Sequence, residues 1–338
     1  MTDGVVLLAH GSGGILSQEL IESMFVRHHA NDVLSGMEDA ALVSLEQGEA
    51  RLAITTDSFV VQPLFFPGGD IGKLSVCGTV NDLAMRGARP LYLTSAYIIE
   101  EGFPLANLDQ IVVSQAATAR AAGVRIVAGD TKVVERGSGD GVFINTAGVG
   151  LVPDGVHISA ANARVGDVVL LSGAIGDHGL AIMTRREGLQ FSSPLTSDCA
   201  PLNDLVATML KACPDIHVLR DPTRGGVATA LNEVAQRSRV GIEIDEAQVP
   251  VHAPVQAAAE LLGLDPLYVA NEGKLLAIVP ESAASAVLQA MQAHMYGAEA
   301  AAIGRVVPNN PGRVVLRTPL GTRRLLDMLS GEQLPRIC

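Results

Sequence analysis

The chain has 338 residues with 36 acidic and 24 basic side chains, which give a net charge of −12 and a pI near 5.1. An acidic surface repels nucleic-acid phosphates and anionic lipids, and with 3% aromatic residues and no tryptophan there is little on which bases could stack. Hydrophobic residues at 48% indicate a folded globular protein, and at about 150 residues per domain the length predicts two domains. We therefore expect neither nucleic acid nor a membrane as a partner.

Cysteine usage and the apolar runs predict a cytoplasmic protein. The four cysteines form no CxxC pair and have no zinc-site spacing, so they are expected to be free thiols: Cys77, Cys199, Cys213 and Cys338. The apolar run at residues 5–9 follows no basic segment, which is not the pattern of a signal peptide. The longest apolar runs fall short of the roughly 18 residues that are needed to span a bilayer.

Strands and helices alternate in the predicted first half. Apolar patterning predicts strands at residues 52–54, 91–99, 124–128 and 142–152, the third of them buried. Apolar residues at three- and four-residue steps predict helices at 71–87 and 107–122, each ending at a glycine.

A second series of alternating strands and helices is predicted after residues 153–165, a stretch rich in turn-forming residues. Strands are predicted at 167–172, 240–244, 275–279 and 313–316, and helices at 202–212, 226–237, 255–262 and 282–294, with a glycine-rich turn at 173–179 opening another. This alternation predicts an α/β or α+β fold. We divide the chain into an N-terminal domain (1–155), a C-terminal α/β domain (156–330) and a flexible tail (331–338).

Four aspartates next to small residues are candidate magnesium ligands: Asp39, Asp57, Asp82 and Asp130. Mg²⁺ prefers oxygen ligands and is usually bound by a few carboxylates together with substrate phosphates. Single aspartates more often cap helices or form turns. Asp82 differs because Asn81-Asp82 lies within an apolar-patterned helix, where neither residue is a good helix former.

Three further features could carry chemistry. Residues 10–14 read His-Gly-Ser-Gly-Gly, whose backbone N–H groups could bind phosphate, although the segment matches neither a P-loop nor a dinucleotide fingerprint. Lys132 and Glu272 follow turn-like segments and could equally be solvated charges. The chain ends in Cys338, where the α-carboxylate tends to raise the thiol pKa, and Pro335 leaves the tail extended. The ending is not a prenylation signal.

Taken together, these motifs resemble the HypE family of hydrogenase-maturation carbamoyl dehydratases, within the aminoimidazole ribonucleotide synthetase-like superfamily. The resemblance covers essentially the whole chain. Its inner motifs are residues 10–14, 55–58, 70–82, 129–134, 144–148, 221–226 and 271–273. The terminal Pro-Arg-Ile-Cys at 335–338 marks this member of the superfamily and makes Cys338 the prime candidate for a covalent carrier.

The resemblance implies a function for the tail. A carbamoyltransferase, HypF, would load a carbamoyl group on Cys338 as a thiocarboxamide, and ATP would drive its dehydration to a thiocyanate. The cyano group would pass to iron on a HypC–HypD complex for nickel–iron hydrogenase. The implied fold has two α/β domains, and the N-terminal sheets of two chains pair in a homodimer.

The resemblance also assigns roles to residues. ATP would bind near the dimer interface, with Mg²⁺ on Asp39, Asp57, Asp82 and Asp130. The nucleotide-binding positions would be Gly11, Gly13, Gly14, Lys73, Asn81 and Thr131. Glu272 would act as a base beside the tail thiol, with Lys132 polarising the group or relaying protons. Relatives often have two aspartates before the alanine pair, whereas this chain has Glu38, so Asp39 is the expected ligand.

Two other classes of function stay open. A purine-pathway cycloligase or a selenophosphate synthetase shares the superfamily motifs. A cycloligase needs no terminal cysteine, and a selenophosphate synthetase would carry Cys or selenocysteine near its N-terminal glycine-rich loop, where this chain has no cysteine before Cys77. A non-catalytic scaffold for maturation partners is the third possibility, which the presence of the expected ligand and catalytic residues disfavours.

Overall fold

The computed structural model describes residues 6–11, 14–29, 31–44, 51–189, 195–329, 334 and 336–338. Strands and helices alternate in both halves, as the sequence predicts. The described strands form a five-stranded sheet, a seven-stranded sheet and a two-stranded ribbon. None of the helices in these ranges is long and apolar enough to span a membrane.

The described residues of the first half form seven strands, four α-helices and a π-helical stretch. The described elements are, in chain order, α1 (Ile15–Leu20), a π-helical stretch (Ile21–Val26), α2 (Arg27–His29), β1 (Ala41–Ser44), β2 (Arg51–Phe59), β3 (Phe65–Phe66), β4 (Gly69–Asp70), α3 (Ile71–Met85), β5 (Arg89–Glu100), α4 (Leu105–Ala121), β6 (Arg125–Val134) and β7 (Val142–Val152). The sheet order is β1-β2-β7-β5-β6, and β3 pairs with β4. Only the β5–β6 pair is parallel among the neighbours of this sheet.

Helices α3 and α4 cover one face of this sheet. The side chain of Asp70 caps α3 by accepting the N–H of Lys73 at 3.0 Å. The Gln115 side chain of α4 joins the layers, because its Nε2 donates to Ser75 on α3 at 2.9 Å and to Ser95 on β5 at 3.0 Å. These hydrogen bonds give partners to the polar groups that are buried between the two helices and the sheet.

The opposite face of the sheet is exposed in the single chain. Almost every residue of the edge strand β6 is exposed, and on the face opposite the helices Ile54 of β2 and Ile98 of β5 are 43% and 47% exposed. The prediction of a buried strand at 124–128 is therefore wrong for the isolated chain. The apolar composition that predicted burial is present, but the described chain supplies nothing to cover it. Large exposed apolar patches usually mark interaction surfaces.

The second half forms the seven-stranded sheet and its flanking helices. The elements are β8 (Val168–Leu171), α5 (Asp177–Arg186), α6 (Asn203–Ala212), β9 (Val218–Arg220), α7 (Gly226–Ser238), β10 (Gly241–Asp245), α8 (Ala253–Leu262), β11 (Leu276–Val279), α9 (Glu281–Gln292), β12 (Ala301–Val307), β13 (Val314–Arg317) and β14 (Arg323–Leu326). The sheet order is β14-β13-β10-β12-β8-β11-β9. Its β10–β13 pair is parallel and the other neighbours are antiparallel.

One apolar core joins the two halves. Leu83 and Met85 of α3 belong to the same buried cluster as Leu205 and Met209 of α6. Helix α3 is therefore packed on the N-terminal sheet and against the C-terminal half, and 13 of its 15 residues are buried. A helix that is buried all round has no room for charge without a partner, which makes Asp82 on α3 informative.

Candidate active site

A cavity of about 380 Å³ lies between the two halves of the chain. Strand β2 and helix α3 form one wall, α7 and the loop at 221–224 form another, and α1 borders the opening. Acidic side chains from both halves line it: Glu38, Asp39, Asp57, Asp82, Asp221, Glu233 and Glu272. Glu272 is buried and the others are half-buried, and such a concentration of acids with little access to water requires a positively charged partner.

The aspartates in this cavity hold their protons more tightly than ordinary carboxyl groups. Burial raises the pKa of Asp39, Asp57 and Asp82, and for Asp82 the nearby acids Asp221, Asp57 and Asp39 raise it further. Burial and the neighbouring Asp39 raise the pKa of Asp221 to about 7. The hydroxyl of Thr55 lies 2.8 Å from Oδ2 of Asp82 and partly offsets this cost.

Arg220 provides part of the positive charge that the acidic side chains of the cavity require. Its guanidinium bonds to one oxygen of Asp39 and to Glu233. Within the described part of the chain, the other oxygen of Asp39, Oδ2, is buried and has no hydrogen-bond partner. The cavity can therefore accept a further cation or hydrogen-bond donor at Asp39.

A second arginine, Arg224, connects the glycine-rich N-terminal segment to the tail. Its Nη1 donates to the carbonyl oxygen of Gly11 at 2.9 Å. The charges of Cys338 and, after it, of Asp57 raise the pKa of Arg224, which stays a cation in the cavity. Arg224 is thus placed to offset negative charge that develops near the end of the tail.

The described end of the tail is seated in the cavity. The N–H groups of Val60 and Gln62 donate to the carbonyls of Cys338 at 3.0 Å and of Arg336 at 3.1 Å. Ile337 is 3% exposed, and Cys338 lines the cavity. Burial raises the pKa of the Cys338 thiol to about 12. The segment 331–338 was expected to be flexible, but its residues 336–338 are packed like a short added strand.

Glu272 faces the same cavity from a tightly held loop. Both oxygens of Asp198 accept backbone N–H groups, from Glu272 at 3.0 Å and Gly273 at 3.3 Å. A Cβ at Gly273 would lie 1.8 Å from the carbonyl oxygen of Asp198, so this position requires glycine. Burial first, and then nearby acidic groups, raise the pKa of Glu272 well above its usual value. A proton acceptor with a raised pKa suits general acid–base work near neutral pH.

Three predicted site residues do not reach this cavity within one chain. Asp130, Thr131 and Lys132 lie on the exposed strand β6, at the far edge of the sheet from β2. Lys132 instead bonds to Asp130, with Nζ 2.7 and 2.6 Å from the two carboxylate oxygens. The expectation that Lys132 lies beside the tail thiol is not met in the single chain, because β7 and β5 separate β6 from β2.

Two predicted nucleotide-binding residues have structural partners instead. The buried amide of Asn81 donates to the carbonyls of Ala200 at 3.1 Å and Glu272 at 3.3 Å and accepts from the N–H of Leu202 at 2.8 Å. Its donors are occupied, so Asn81 joins the two halves and supports the Glu272 loop. Lys73 donates to the carbonyl of Gly68 at 2.8 Å and does not line the cavity.

The glycine-rich segment lies only partly within the described residues. Gly14 lines the cavity, and a Cβ there would lie 2.3 Å from the carbonyl oxygen of Leu329, so a side chain does not fit. Gly11 contacts Arg224, as described above, whereas Gly13 lies outside the described residues. Glu38, which stands where relatives often have a first aspartate, forms an ion pair with Arg86 at 2.9 Å.

The described residues fit Mg²⁺ as part of a magnesium–nucleotide complex rather than alone. No three His, Cys, Asp or Glu side chains among them are close enough to share a metal ion, so a four-carboxylate cluster does not form in one chain. The unpartnered oxygen of Asp39 and the raised pKa values of Asp57 and Asp82 nevertheless suit the binding of a cation at these carboxylates. Mg²⁺ commonly takes one or two carboxylates and completes its shell with phosphates and water.

Sequence reasoning left several cavity residues without a role. Arg220, Asp221, Arg224 and Glu233 line the cavity, although residues 221–226 served only to support the resemblance. The available signal was an acid at position 221 and an arginine at position 224, the latter directly before the glycine pair 225–226 that opens α7. Both glycines have positive φ, and a Cβ on the second would lie 2.5 Å from a backbone oxygen, so the turn that aims Arg224 requires them.

Family models agree with this architecture over most of the chain. The model described as AIR synthase related protein, N-terminal domain, matches residues 37–152, and the corresponding C-terminal domain model matches residues 164–317. The carbamoyl dehydratase HypE of Azotobacter vinelandii is 56% identical over 338 residues, which cover 100% of this chain and 98% of the relative. The chain belongs to the HypE family.

Solved structures of HypE agree with the fold of this family member. A HypE–HypF complex contains a chain that matches with a TM-score of 0.87 and 52% identity, covering 92% of this chain and 99% of that one. A HypE crystallised in complex with ATP matches with a TM-score of 0.83 and 49% identity, covering 99% and 100%. The expected two-domain fold of the aminoimidazole ribonucleotide synthetase type is thereby confirmed.

Proposed function

We propose that this member of the HypE family uses ATP to dehydrate a carbamoyl group that is carried on the Cys338 sulfur as a thiocarboxamide, and so produces a thiocyanate. The observation that supports this most directly is the meeting of Cys338, Glu272 and Arg224 with buried carboxylates in one cavity. A carrier cysteine, a base and an acidic nucleotide site are the parts that such a reaction needs. The family membership supports the carbamoyl substrate and ATP.

The proposed reaction has two stages. The thiocarboxamide oxygen attacks the γ-phosphorus of ATP, ADP leaves, and the nitrogen gives up one proton, which leaves a phosphorylated imidate on sulfur. The nitrogen then loses its second proton, the C–O bond breaks and inorganic phosphate departs, so that C≡N remains bound to sulfur. Each step needs a proton acceptor near the nitrogen and positive charge near the phosphate oxygens.

The residues of the cavity suit these tasks. Glu272 would accept protons from nitrogen, since its raised pKa makes it a stronger base than an exposed carboxylate. Arg224 would balance charge beside the Cys338 sulfur. Gly11 and Gly14 would leave backbone groups open to phosphate. Insertion of the tail excludes water, which protects the activated intermediate from hydrolysis.

Magnesium would be held by Asp57 and Asp82, with Asp39 available through its unpartnered oxygen. When bound with the nucleotide, Mg²⁺ would neutralise charge on the transferred phosphoryl group. The residues on β6 would enter a second chain's cavity if two N-terminal sheets pair through their exposed faces. In that homodimer, Asp130 would add a ligand, Thr131 a nucleotide contact and Lys132 a proton relay.

The proposed partners follow from where the group must travel. HypF would load the tail when it leaves the cavity, which the solved HypE–HypF complex of a relative supports. A HypC–HypD complex would accept the cyano group as an iron ligand for nickel–iron hydrogenase. The free thiols of all four cysteines suit a reducing cytoplasm.

Intact-mass spectrometry tests the proposal. The protein is incubated with a HypF carbamoylation system and then with MgATP. We expect a carbamoyl adduct that loses one water when MgATP is added, and peptide mapping should locate both forms on Cys338. Cys338→Ala should give no adduct yet still bind ATP, whereas Cys213→Ala should behave like wild type. An adduct on Cys77, Cys199 or Cys213 in a fully competent Cys338→Ala protein would contradict the assignment.

A further inference from the structure

A buried histidine contacts the backbone of the tail directly next to Cys338. His178 lies on α5 and is fully buried. Its Nε2 is 2.9 Å from the carbonyl oxygen of Ile337, and its Nδ1 is 2.7 Å from the hydroxyl of Ser197. The ring of Phe66 packs edge-on against it, with 5.5 Å between ring centres. The imidazole thus has one partner at each nitrogen and no freedom to turn.

The hydrogen-bond pattern determines which nitrogen carries the proton. The carbonyl oxygen of Ile337 can only accept, so Nε2 carries the proton, and the hydroxyl of Ser197, which accepts the N–H of Cys199 at 3.1 Å, directs its own proton at Nδ1 of His178. Burial lowers the pKa of His178 and keeps the ring neutral. Nδ1 is then the acceptor, and Nε2–H donates to the carbonyl of Ile337.

We propose that His178 is a positioning residue that latches the C-terminal tail and thereby fixes where the group on Cys338 lies. Its contact is with a backbone carbonyl one residue before the carrier. Chemistry on the sulfur leaves this carbonyl unchanged, so the same latch can hold the free, carbamoylated and cyanated tails. The catalytic consequence rests on the proposed function, but the latch itself does not.

The latch must also be weak enough to release the tail. A neutral hydrogen bond of this kind contributes a few-fold to about tenfold to an equilibrium, which biases the tail inward without trapping it. Arg186 contributes from the same helix, since its guanidinium bonds to the carbonyls of Gln62 at 2.6 Å and Arg336 at 3.0 Å. Helix α5 therefore contacts both backbone segments of the tail pairing, at Gln62 and at Arg336, and His178 holds the residue next to the carrier.

The first test measures how often Cys338 leaves the cavity. In free protein without HypF or ATP, the rate at which iodoacetamide alkylates Cys338 is followed by peptide mapping for His178→Leu, which has no donor, and His178→Gln, whose amide can replace Nε2–H. We expect alkylation about two- to twelvefold faster for His178→Leu and partial restoration for His178→Gln. His217→Gln is the matched control, a buried histidine bonded to Asp167 and not to the tail.

A second measurement separates latching from general stability. The free energy of unfolding is compared for wild type and His178→Leu in the full chain and in a chain that ends at Leu334. If His178 acts on the tail, the cost of His178→Leu is smaller in the shortened chain. Equal costs in both chains, or unchanged Cys338 alkylation in a folded, ATP-binding His178→Leu protein, would overturn the proposal. Neither the alkylation rate nor the free energy of unfolding depends on carbamoyl chemistry. If the proposed function were wrong, the wild-type protein would form no carbamoyl adduct, whatever the outcome at His178.

Discussion

Glu272 illustrates how a loop can hold a base in a site that is otherwise acidic. Its backbone is fixed by Asp198 and Asn81, so the carboxyl group stays in the cavity even though burial opposes its charge. A carboxyl group in such surroundings binds protons more strongly than usual and releases them when a cation enters. Nucleotide and metal binding would therefore prepare Glu272 to accept a proton from the substrate nitrogen.

Replacing Glu272 with glutamine tests that role. Glu272→Gln should still accept the carbamoyl group, because loading takes place outside the cavity, but dehydration should slow by about 10²–10⁴-fold, the usual cost of losing a positioned base. Mass spectrometry of single-turnover samples should show thiocarboxamide without thiocyanate. Glu281→Gln, a surface change, serves as the control. Thiocyanate that forms at the normal rate would assign proton transfer to another group, with Lys132 the next candidate.

The thiol of Cys338 should show an unusual pH dependence. Burial raises its pKa from an ordinary 9.0 to about 12. Below pH 9 both seated and released thiols are protonated, whereas between pH 9 and 12 only the released thiol ionises, so the seated tail loses stability as the pH rises. At pH 8 we expect alkylation of Cys338 more than tenfold slower in the native protein than in urea, because thiolate is the reactive form. Similar rates in both would show that the tail is not seated.

The Asp82 side chain is expected to lower the free energy of unfolding of the ligand-free protein. It lies half-buried on α3 close to Asp39, Asp57 and Asp221, all of which oppose its ionisation. Without metal and nucleotide, Asp82→Asn should therefore raise the melting temperature by roughly 2–4 °C. The same change should slow Mg²⁺-dependent ATP hydrolysis by about 10²-fold. Asp109→Asn on the exposed side of α4 should alter neither quantity. If the Asp82→Asn protein hydrolysed ATP at the wild-type rate, Asp82 would not be a ligand of the metal site.

At the scale of elements, periodicity predicted the helices better than the strands. The predicted helices at 71–87 and 107–122 correspond to Ile71–Met85 and Leu105–Ala121, because glycine stops and apolar spacing are local signals. Strand β2 runs to Phe59 rather than stopping at residue 54, since its second half is polar and faces the cavity. Six of the described strands were not predicted: β1, β3, β4, β9, β12 and β14. Their pairing depends on distant partners that a local pattern does not contain.

The site could be predicted in part, for a similar reason. Asp39, Asp57, Asp82, Glu272 and Cys338 do meet in one cavity, as the motifs suggested. Asp130, Thr131 and Lys132 do not join them in one chain, because a motif records chemistry and not which subunit supplies it. The proposed tail latch at His178 had no sequence signal, since a single histidine within a helix usually only packs against its neighbours.

The length of the tail can be tested separately from its chemistry. One glycine inserted between Ile337 and Cys338 moves the thiol by up to about 3.3–3.6 Å while leaving the contacts of Arg336 and Ile337 possible. Loading by HypF should persist, whereas dehydration should fall by about 10²-fold because positioning errors near 1 Å are costly. The mass of the adduct, followed over time, measures the rate of loading and the rate of dehydration. A glycine inserted at exposed Gly263 controls for the insertion itself. Normal dehydration would show that the carrier need not be seated with this accuracy.

For the whole molecule, the exposed face of the N-terminal sheet and the separated site residues have one common explanation. The face opposite the helices carries exposed apolar side chains such as Ile54 and Ile98, and it also carries Asp130 and Lys132 of β6, whereas Thr131 lies on the helix side of that strand. Pairing of two such faces would bury the apolar side chains and would bring Asp130 and Lys132 to the cavity of the second chain. A twofold axis would then create two identical composite sites, each with residues from both chains.

Mixing two inactive variants tests this arrangement. In a heterodimer of Lys132→Ala and Glu272→Gln chains, one composite site carries both changes and the other carries neither. After unfolding and refolding of an equal mixture, half of the dimers are mixed and half of their sites are intact, so activity should recover to about a quarter of wild type. Each variant refolded alone should stay inactive. Ile98→Glu on the exposed face should yield monomers by light scattering and abolish the recovery. No recovery in a mixture whose heterodimers are demonstrated by mass would mean that Lys132 and Glu272 act within the same chain.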